Sequence, residues 1–437
     1  MDMAFQNEKS RLLVLGWEGG GNVPPTIATI RALAARGHDV RFIGDDCILP
    51  QARAAGARAL PWTRAPNRRD LTPQSSFVRD WEQPNDTSAF FAWAQGVFLA
   101  PALRYAEDVV EAAQAEPTDA IIGSDVLFGG MVAAEALGLP HALLAANLSL
   151  VPLPGHPPFG PGFFPAGNDD ERHRDREVMA SVERMFDGFL PQINAARAKF
   201  QLPPLSRTLD QFRSDLLLLC TAKAFDFPVD YLPAHVRYVG PLLEQPAWAL
   251  EGAAPQSDER PTVLVSFSTT YQRQEAALAA TIEALGSLPV RGVVTLGVAL
   301  AGLAPAAPPN VEILDGASHD EIIARAACVV THGGHGTTLR ALRAGAPILV
   351  LPMGRDQNDN AARVEYHGAG LRLSRDASAA EIAAAIRRLL DEPSFAGNAQ
   401  RLALAIAGEG GGAERVVDEV EAMIRAAREP RRSAVGA

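Results

Sequence analysis

The stretch from Val329 to Ala362, VVTHGGHGTTLRALRAGAPILVLPMGRDQNDNAA, constrains the fold more than any other part of the chain. An apolar run ends at Thr331, and a glycine-rich turn follows, His332-Gly333-Gly334-His335-Gly336-Thr337-Thr338. A helical pattern around Leu339 and Leu342 stops at Gly345. A second apolar run, Ile348 to Leu351, then leads into Pro352 and a polar loop with Asp356, Gln357 and Asn360. A strand, a glycine turn and a helix N-terminus in succession form a ready anion site. The glycines let the backbone approach, and the unpaired N–H groups and helix dipole attract negative charge. The polar loop after the next strand falls on the same edge of a parallel sheet, where ligands of such folds bind. The chemistry alone reads as a phosphate cradle beside a hydroxyl-recognising loop.

The rest of the chain repeats the alternation. Apolar runs at Leu12–Gly16, Val40–Gly44, Ala120–Gly123, Ala142–Ala146 and Leu216–Cys220 are interleaved with helical patterns such as Thr26–Arg36. After the Pro-rich, small-residue stretch Pro246–Pro261, the runs resume at Val263–Phe267, Gly292–Leu296, Val311–Leu314, Cys328–Thr331, Ile348–Leu351 and Leu371–Leu373. Alternating strands and helices argue for doubly wound parallel sheets. With 437 residues, two domains of about 200 residues each are the natural reading. Two less regular regions, 61–101 and 152–170, follow strands of the first half. Their aromatic residues (Trp62, Phe77, Trp81, Phe90, Phe91, Trp93 and Phe98 in the first) read as core before they read as a ligand wall, although an apolar substrate would enter there. A last helical pattern aligns Val416, Val420, Met423 and Ile424 on one face.

A net charge of −11 argues against nucleic acid and anionic membranes as partners. Three widely spaced cysteines, Cys47, Cys220 and Cys328, do not make a disulfide framework and favour a reducing compartment. The opening MDMAFQNEKS lacks the basic start and apolar run of a signal peptide, and no apolar run is long enough to span a bilayer. A cytoplasmic location is therefore expected.

The ordered motif HGGxGT, ALxxGxP and P-x-x-x-DQ-x-x-NA, read here from His332 to Ala361, resembles the donor-binding signature of the GT-B nucleotide-sugar glycosyltransferases. The resemblance is to the bacterial natural-product (macrolide-type) members of glycosyltransferase family 1, related to the plant UDP-glycosyltransferases. Ser266 to Thr270 (SFSTT) and the N-terminal turn GGGNVPP fit the same family. The resemblance implies two Rossmann-type domains with parallel sheets facing a central cleft. Residues 1–240 would bind the acceptor, 241–261 link, and 262–412 bind the sugar nucleotide. Residues 413–428 would return to the first domain, with a disordered tail over 429–437.

Family correspondence assigns the diphosphate to His332, Gly334, Gly336 and Thr337, with Ser268 and Thr269 facing the same anion. Asp356 and Gln357 correspond to the sugar-binding pair, a carboxylate acceptor and a two-way amide suited to hydroxyls, which favours a hydroxyl-rich hexose such as glucose. Relatives carry a catalytic His where Asn22 stands, oriented by an Asp corresponding to Asp125. An amide has no useful basicity, so three readings stay open. Asp125 acts as the base, directly or through water; the acceptor is acidic enough to need none; or the chain is a catalytically weak homologue that binds ligands as an accessory protein. Gly316 stands where relatives stack an aromatic ring on the nucleobase, leaving recognition to the backbone near Ala317 and UDP versus TDP undecided.

A zinc site from His332, His335, His319 and Cys328 is disfavoured by its loose spacing. The absence of any Asp-x-Asp also fits metal-independent transfer, with no cofactor beyond the UDP- or TDP-sugar donor. A dinucleotide reading of the N-terminal glycines, with Asp45 and Asp46 on the ribose, fails at Pro24, which occupies the third glycine's place. The expected activity is inverting hexosyl transfer to a hydrophobic small molecule such as a phenolic or polyketide natural product, and a homodimer is left open.

Overall fold

The structure, a computed structural model, describes residues 9–244, 259–267, 270–300, 302–315 and 317–429. Most of the linker expected at 241–261, the tail after Glu429, and Ser268, Thr269 and Gly316 lie outside the described residues.

Two all-parallel sheets organise the chain. The first contains β1 (Arg11–Leu15), β2 (Asp39–Gly44), β3 (Arg58–Pro61), β4 (Ala120–Ser124), β5 (His141–Ala145), β6 (Leu216–Leu219) and β7 (Val236–Tyr238), in the order 3-2-1-4-5-6-7. The second contains β8 (Thr262–Ser266), β9 (Arg291–Thr295), β10 (Val311–Leu314), β11 (Ala326–Thr331), β12 (Ile348–Val350) and β13 (Gly370–Arg372), in the order 10-9-8-11-12-13. The central strands are Leu-, Val- and Ile-rich and buried on both faces, as helices packed on each side of a parallel sheet require. Strand order reverses between β1 and β4 and again between β8 and β11. Loops leaving the carboxyl ends of those four strands therefore border the crevices in which doubly wound sheets bind ligands.

The eleven apolar runs of the sequence all become strands, and two further strands join them. Both additions are edge strands of the first sheet. β3 alternates exposed and half-buried residues, and β7 has only three residues, so neither produces a long apolar run. The region 61–101 is more ordered than its composition suggests. Asn85 caps the helix Asp86–Trp93 by accepting the Ser88 N–H at 2.9 Å, and a π-helical turn, Ala94–Phe98, continues it. Helices Asp169–Asp187 and Leu190–Lys199 then run beside it, beyond the irregular 152–167 stretch.

Buried polar contacts bind the two halves face to face. Asp226 accepts from Arg363 Nε at 2.8 Å and from the Tyr238 hydroxyl at 2.8 Å, and the Arg363 guanidinium lies 4.2 Å from the Phe227 ring centre. Burial opposes the Asp226 charge, yet Arg363 beside it holds the carboxyl below its ordinary value. Asp359, one helical turn before Arg363, accepts the Gly160 N–H at 2.6 Å and the Gly162 N–H at 2.9 Å. The chain also returns from the second half to the first near its last helix. Gly412 N–H donates to Val239 O at 2.6 Å just before the helix Ala413–Arg428, which packs Val416, Val417, Val420 and Ile424 into the core of the first sheet. A Cβ on Gly240 would meet Gly410 O at 3.1 Å.

Replacing Arg363 with Ala strands the buried Asp226 carboxylate, at an expected cost of about 3–5 kcal/mol. The thermal midpoint of Arg363→Ala should fall clearly below wild type at neutral pH, and the gap should narrow in acid as Asp226 takes up a proton. A midpoint unchanged at both pH values would mean that this pair does not tie the halves together.

Candidate active site

β11 ends at Thr331, and Gly333 takes a left-handed φ of +90° to turn the chain into the helix His335–Arg343, with Gly334 as its N-cap. A Cβ on Gly334 would lie 2.5 Å from Nε2 of His332, so glycine is what lets the imidazole fold back over the turn. Thr338 is the first residue to bond backwards, to Gly334 O at 3.0 Å. The N–H groups of His335, Gly336 and Thr337 precede that bond and leave the helix end open to an anion. His332 is buried and hydrogen-bonded to the Ser266 backbone. Burial, helped by the Arg355 charge, pushes its ring down to about 3. At physiological pH it is a neutral imidazole, with one N–H.

A cavity of about 230 Å³ opens before this turn, lined by His332, Gly334, Gly336 and Thr337 together with Ser266 and Thr270. Ser266 and Thr270 bracket Ser268 and Thr269, which lie outside the described residues. Ala317 packs its methyl group into the core with Ile322 and Ile323, and on the β9 side the cavity wall is formed by Thr295, Gly297 and Val298. His319 lines the same cavity and hydrogen-bonds Thr295 Oγ1 at 3.1 Å, with its ring pushed by burial down to about 4.

A larger cavity of about 1070 Å³ lies on the side of the first sheet. Its apolar walls include Trp17, Phe90, Trp93, Phe98, Phe159 and Phe186. Phe90, Phe91, Trp93 and Phe98, read from sequence as core before ligand wall, all face this space, whereas Trp62 is core, donating to Gly16 O and meeting Tyr105 edge-on. Asp125 and Asn22 are in the same wall. Asp125 follows β4, and burial pushes its carboxyl up to about 7 against the Leu150 backbone contact that favours its charged form. Asn22 closes its own turn, accepting the Gly19 N–H at 3.0 Å and donating to Trp17 O at 2.7 Å. Asp45 turns inward, accepting the backbone N–H groups of Glu18 at 2.7 Å and Arg68 at 3.1 Å, so it is not presented to a ribose.

The two cavities meet. Gly19, Ala146, Asn147, Arg355 and Asp356 line both. Asp356 accepts from Asn360 Nδ2 at 2.9 Å, and that amide also reaches Gly333 O at 2.9 Å and His335 Nδ1 at 3.0 Å, tying the polar loop to the glycine turn. Burial raises the Asp356 carboxyl and lowers the neighbouring His335 ring. Gln357 accepts the Met353 N–H at 2.6 Å and donates to Gln272 Oε1 at 2.9 Å, leaving one N–H and one lone pair of its amide for a ligand.

Residues 279–423 match the family model of the erythromycin biosynthesis protein CIII-like C-terminal domain. The chain is similar to 4'-demethylrebeccamycin synthase of Lentzea aerocolonigenes, 29% identical over 410 residues that span 90% of this chain and 94% of that one. Zeaxanthin glucosyltransferase of Pseudescherichia vulneris is 32% identical over 299 residues, 66% of this chain and 69% of the relative. This chain belongs to the natural-product glycosyltransferases of the GT-B type. Among solved structures, the glycotransferase of kitacinnamycin shares the fold at a TM-score of 0.74 and 20% identity, over 95% of this chain and 99% of that chain.

In this glycosyltransferase, which acts on small-molecule acceptors, the described residues singled out from sequence gather around the joined cavities, with Ala317 set back in the core. Two residues absent from that reading complete the junction. Arg355 adopts φ +60°, unusual for a residue with a side chain, and is anchored by Asp80 Oδ2 at 2.6 Å and Thr270 Oγ1 at 2.9 Å, with its guanidinium 5.2 Å from the Trp93 ring centre. Asp80 also accepts Trp93 Nε1–H at 3.0 Å. Asp80 and Arg355 stand 275 positions apart, in loops with no periodicity, and no local pattern pairs them.

The open space at Gly336, where an added Cβ meets nothing within 4 Å, allows a direct test. Gly336→Val is expected to melt within a few degrees of wild type and to bind UDP and TDP at least tenfold more weakly, the loss of about one charge-assisted hydrogen bond. Calorimetric titration reads the affinity; wild-type affinity would exclude the turn as the diphosphate site.

Proposed function

We propose that this enzyme transfers a hexose, glucose by preference, from a UDP- or TDP-sugar to a hydrophobic hydroxyl-bearing acceptor, with inversion and without metal. The observation that carries the reading is the junction: Asp356 lines both the polar cavity under the His332–Thr337 turn and the apolar cavity containing Asp125. A sugar whose diphosphate lies in the first cavity and whose anomeric carbon faces the second must pass Asp356. The glucosyltransferase name of one relative supports glucose, and the aromatic walls support an apolar acceptor of natural-product size.

The steps follow from the groups present. Gly336 and Thr337 donate to the diphosphate, with His332, Ser268 and Thr269 assigned to the same anion, while Asp356 and Gln357 hold sugar hydroxyls. Asp125 takes the acceptor proton as the acceptor oxygen attacks the anomeric carbon. The bond from that carbon to the diphosphate oxygen breaks from the opposite side, so an α-linked donor yields a β-glycoside. Leaving-group charge is spread over the N–H groups at the helix N-terminus, which is how a site without metal stabilises it. A carboxyl held near 7 by burial suits a general base at neutral pH. Asn22 shapes the turn that borders the acceptor and carries no proton.

The base must be ionised, so kcat/KM should be fully present above about pH 7 and fall about tenfold per unit below it. Asp125→Asn should lose at least a hundredfold in kcat at pH 8 while binding UDP or TDP as wild type does. Turnover of UDP-glucose and TDP-glucose with a panel of phenolic and polyketide acceptors, followed by mass spectrometry of the glycoside, makes the measurement. An Asp125→Asn variant with full activity would remove Asp125 from the mechanism.

A further inference from the structure

One side chain at the junction has no task in this scheme. Asn147 lies two residues beyond β5, is half-buried and lines both cavities. Two amides around it are committed within the protein, Asn22 to Gly19 and Trp17 and Asn360 to Gly333 and Asp356, while Gln357 keeps one N–H and one lone pair open but lines only the polar cavity. Among the described residues the Asn147 carboxamide has no hydrogen-bond partner. Its oxygen would lie 3.4 Å from a Cβ placed on Gly21, so the N-terminal turn approaches it closely.

We propose that Asn147 is a sugar-binding residue: its carboxamide engages hydroxyls of the transferred hexose from the first-sheet side, opposite Asp356. The inference rests on the proposed function and adds to it. If the anomeric carbon reacts where the cavities meet, the hexose lies against the five residues common to both. Gly19 and Ala146 offer no polar side chain, and Arg355 is engaged by Asp80 and Thr270. Asp356 has no N–H to offer, and one of its oxygens already accepts from Asn360. A hexose hydroxyl needs both kinds of partner once water is excluded, because an unpaired buried lone pair is costly. Among the five residues common to both cavities, Asn147 is the one left to supply an N–H, together with an acceptor oxygen, whereas the open Gln357 N–H borders the polar cavity alone. A site built to pair with a hydroxyl discriminates against sugars that lack it more strongly than an apolar wall can. This residue therefore contributes selectivity for a hydroxylated hexose over a deoxygenated one.

The test compares wild type with Asn147→Ala and with Asn147→Asp, which keeps the side-chain shape but removes the N–H donors. For whichever of UDP-glucose and TDP-glucose the wild type uses, kcat/KM should fall 10- to 100-fold in both variants. The Kd of the free nucleoside diphosphate, measured by calorimetry, should stay within twofold. The preference for the glucose donor over deoxy-sugar analogues should shrink, with wild type and Asn147→Ala converging on the analogue that lacks the engaged hydroxyl. Wild-type kcat/KM in Asn147→Ala would overturn the proposal, and so would a proportional loss of nucleotide affinity, which would mark a structural role. A wild type that turns over neither sugar nucleotide overturns the proposed function and this inference together. An active wild type matched by Asn147→Ala overturns this inference alone.

Discussion

The buried Arg363–Asp226 pair and the Asp359 carboxylate beside it set the geometry on which everything else in this enzyme depends. Each sheet alone presents a row of loops at the carboxyl ends of its strands, and each could bind one ligand. Only when the two rows are held face to face do Asp125, from one, and His332, from the other, border a shared space. The clamp is built from charges that are expensive to bury. Their cost is offset because Arg363 reaches Asp226 while Asp359 receives two backbone N–H groups from the 160–162 loop. Since that loop also forms part of the apolar cavity through Gly160 and Pro161, the same contact that joins the halves shapes the wall of that cavity.

Burial also tunes the chemistry. It pushes Asp125 up, into the range where a carboxyl can exchange protons at neutral pH, and pushes His332 down, so that the ring is neutral beside the anion turn. A single cause thus acts in opposite directions on an acid and a base, because in both cases it penalises the charged form. Arg355 adds a fixed positive charge to the junction without being free to leave it, since Asp80 and Thr270 hold it in a backbone conformation that side chains rarely adopt.

The fold was largely readable because parallel sheets buried on both faces write themselves as apolar runs. Every run became a strand, and the omissions, β3 and β7, are edge strands whose half-exposed or very short segments carry no such mark. The glycine turn was legible for a different reason: Gly333 and Gly334 are fixed by local geometry, and local geometry is written in adjacent letters. The aromatic wall of the larger cavity was not. Phe90, Trp93 and Phe98 are apolar whether they face other core residues or a cavity, and only the three-dimensional path of the chain separates the two. Asn147 and the Asp80–Arg355 pair escaped for the same reason, being ordinary polar residues whose significance lies in who stands across from them.

The return of the chain has a mechanical consequence. The final helix leaves the second half at Gly410 to Gly412, where Gly412 touches Val239, and packs Val416, Val417, Val420 and Ile424 into the core of the first sheet. It acts as a strap. With the Arg363–Asp226 pair and the Asp359 contacts placed elsewhere on the seam, the halves are fastened at more than one point, so a swing about any one of them works against the others.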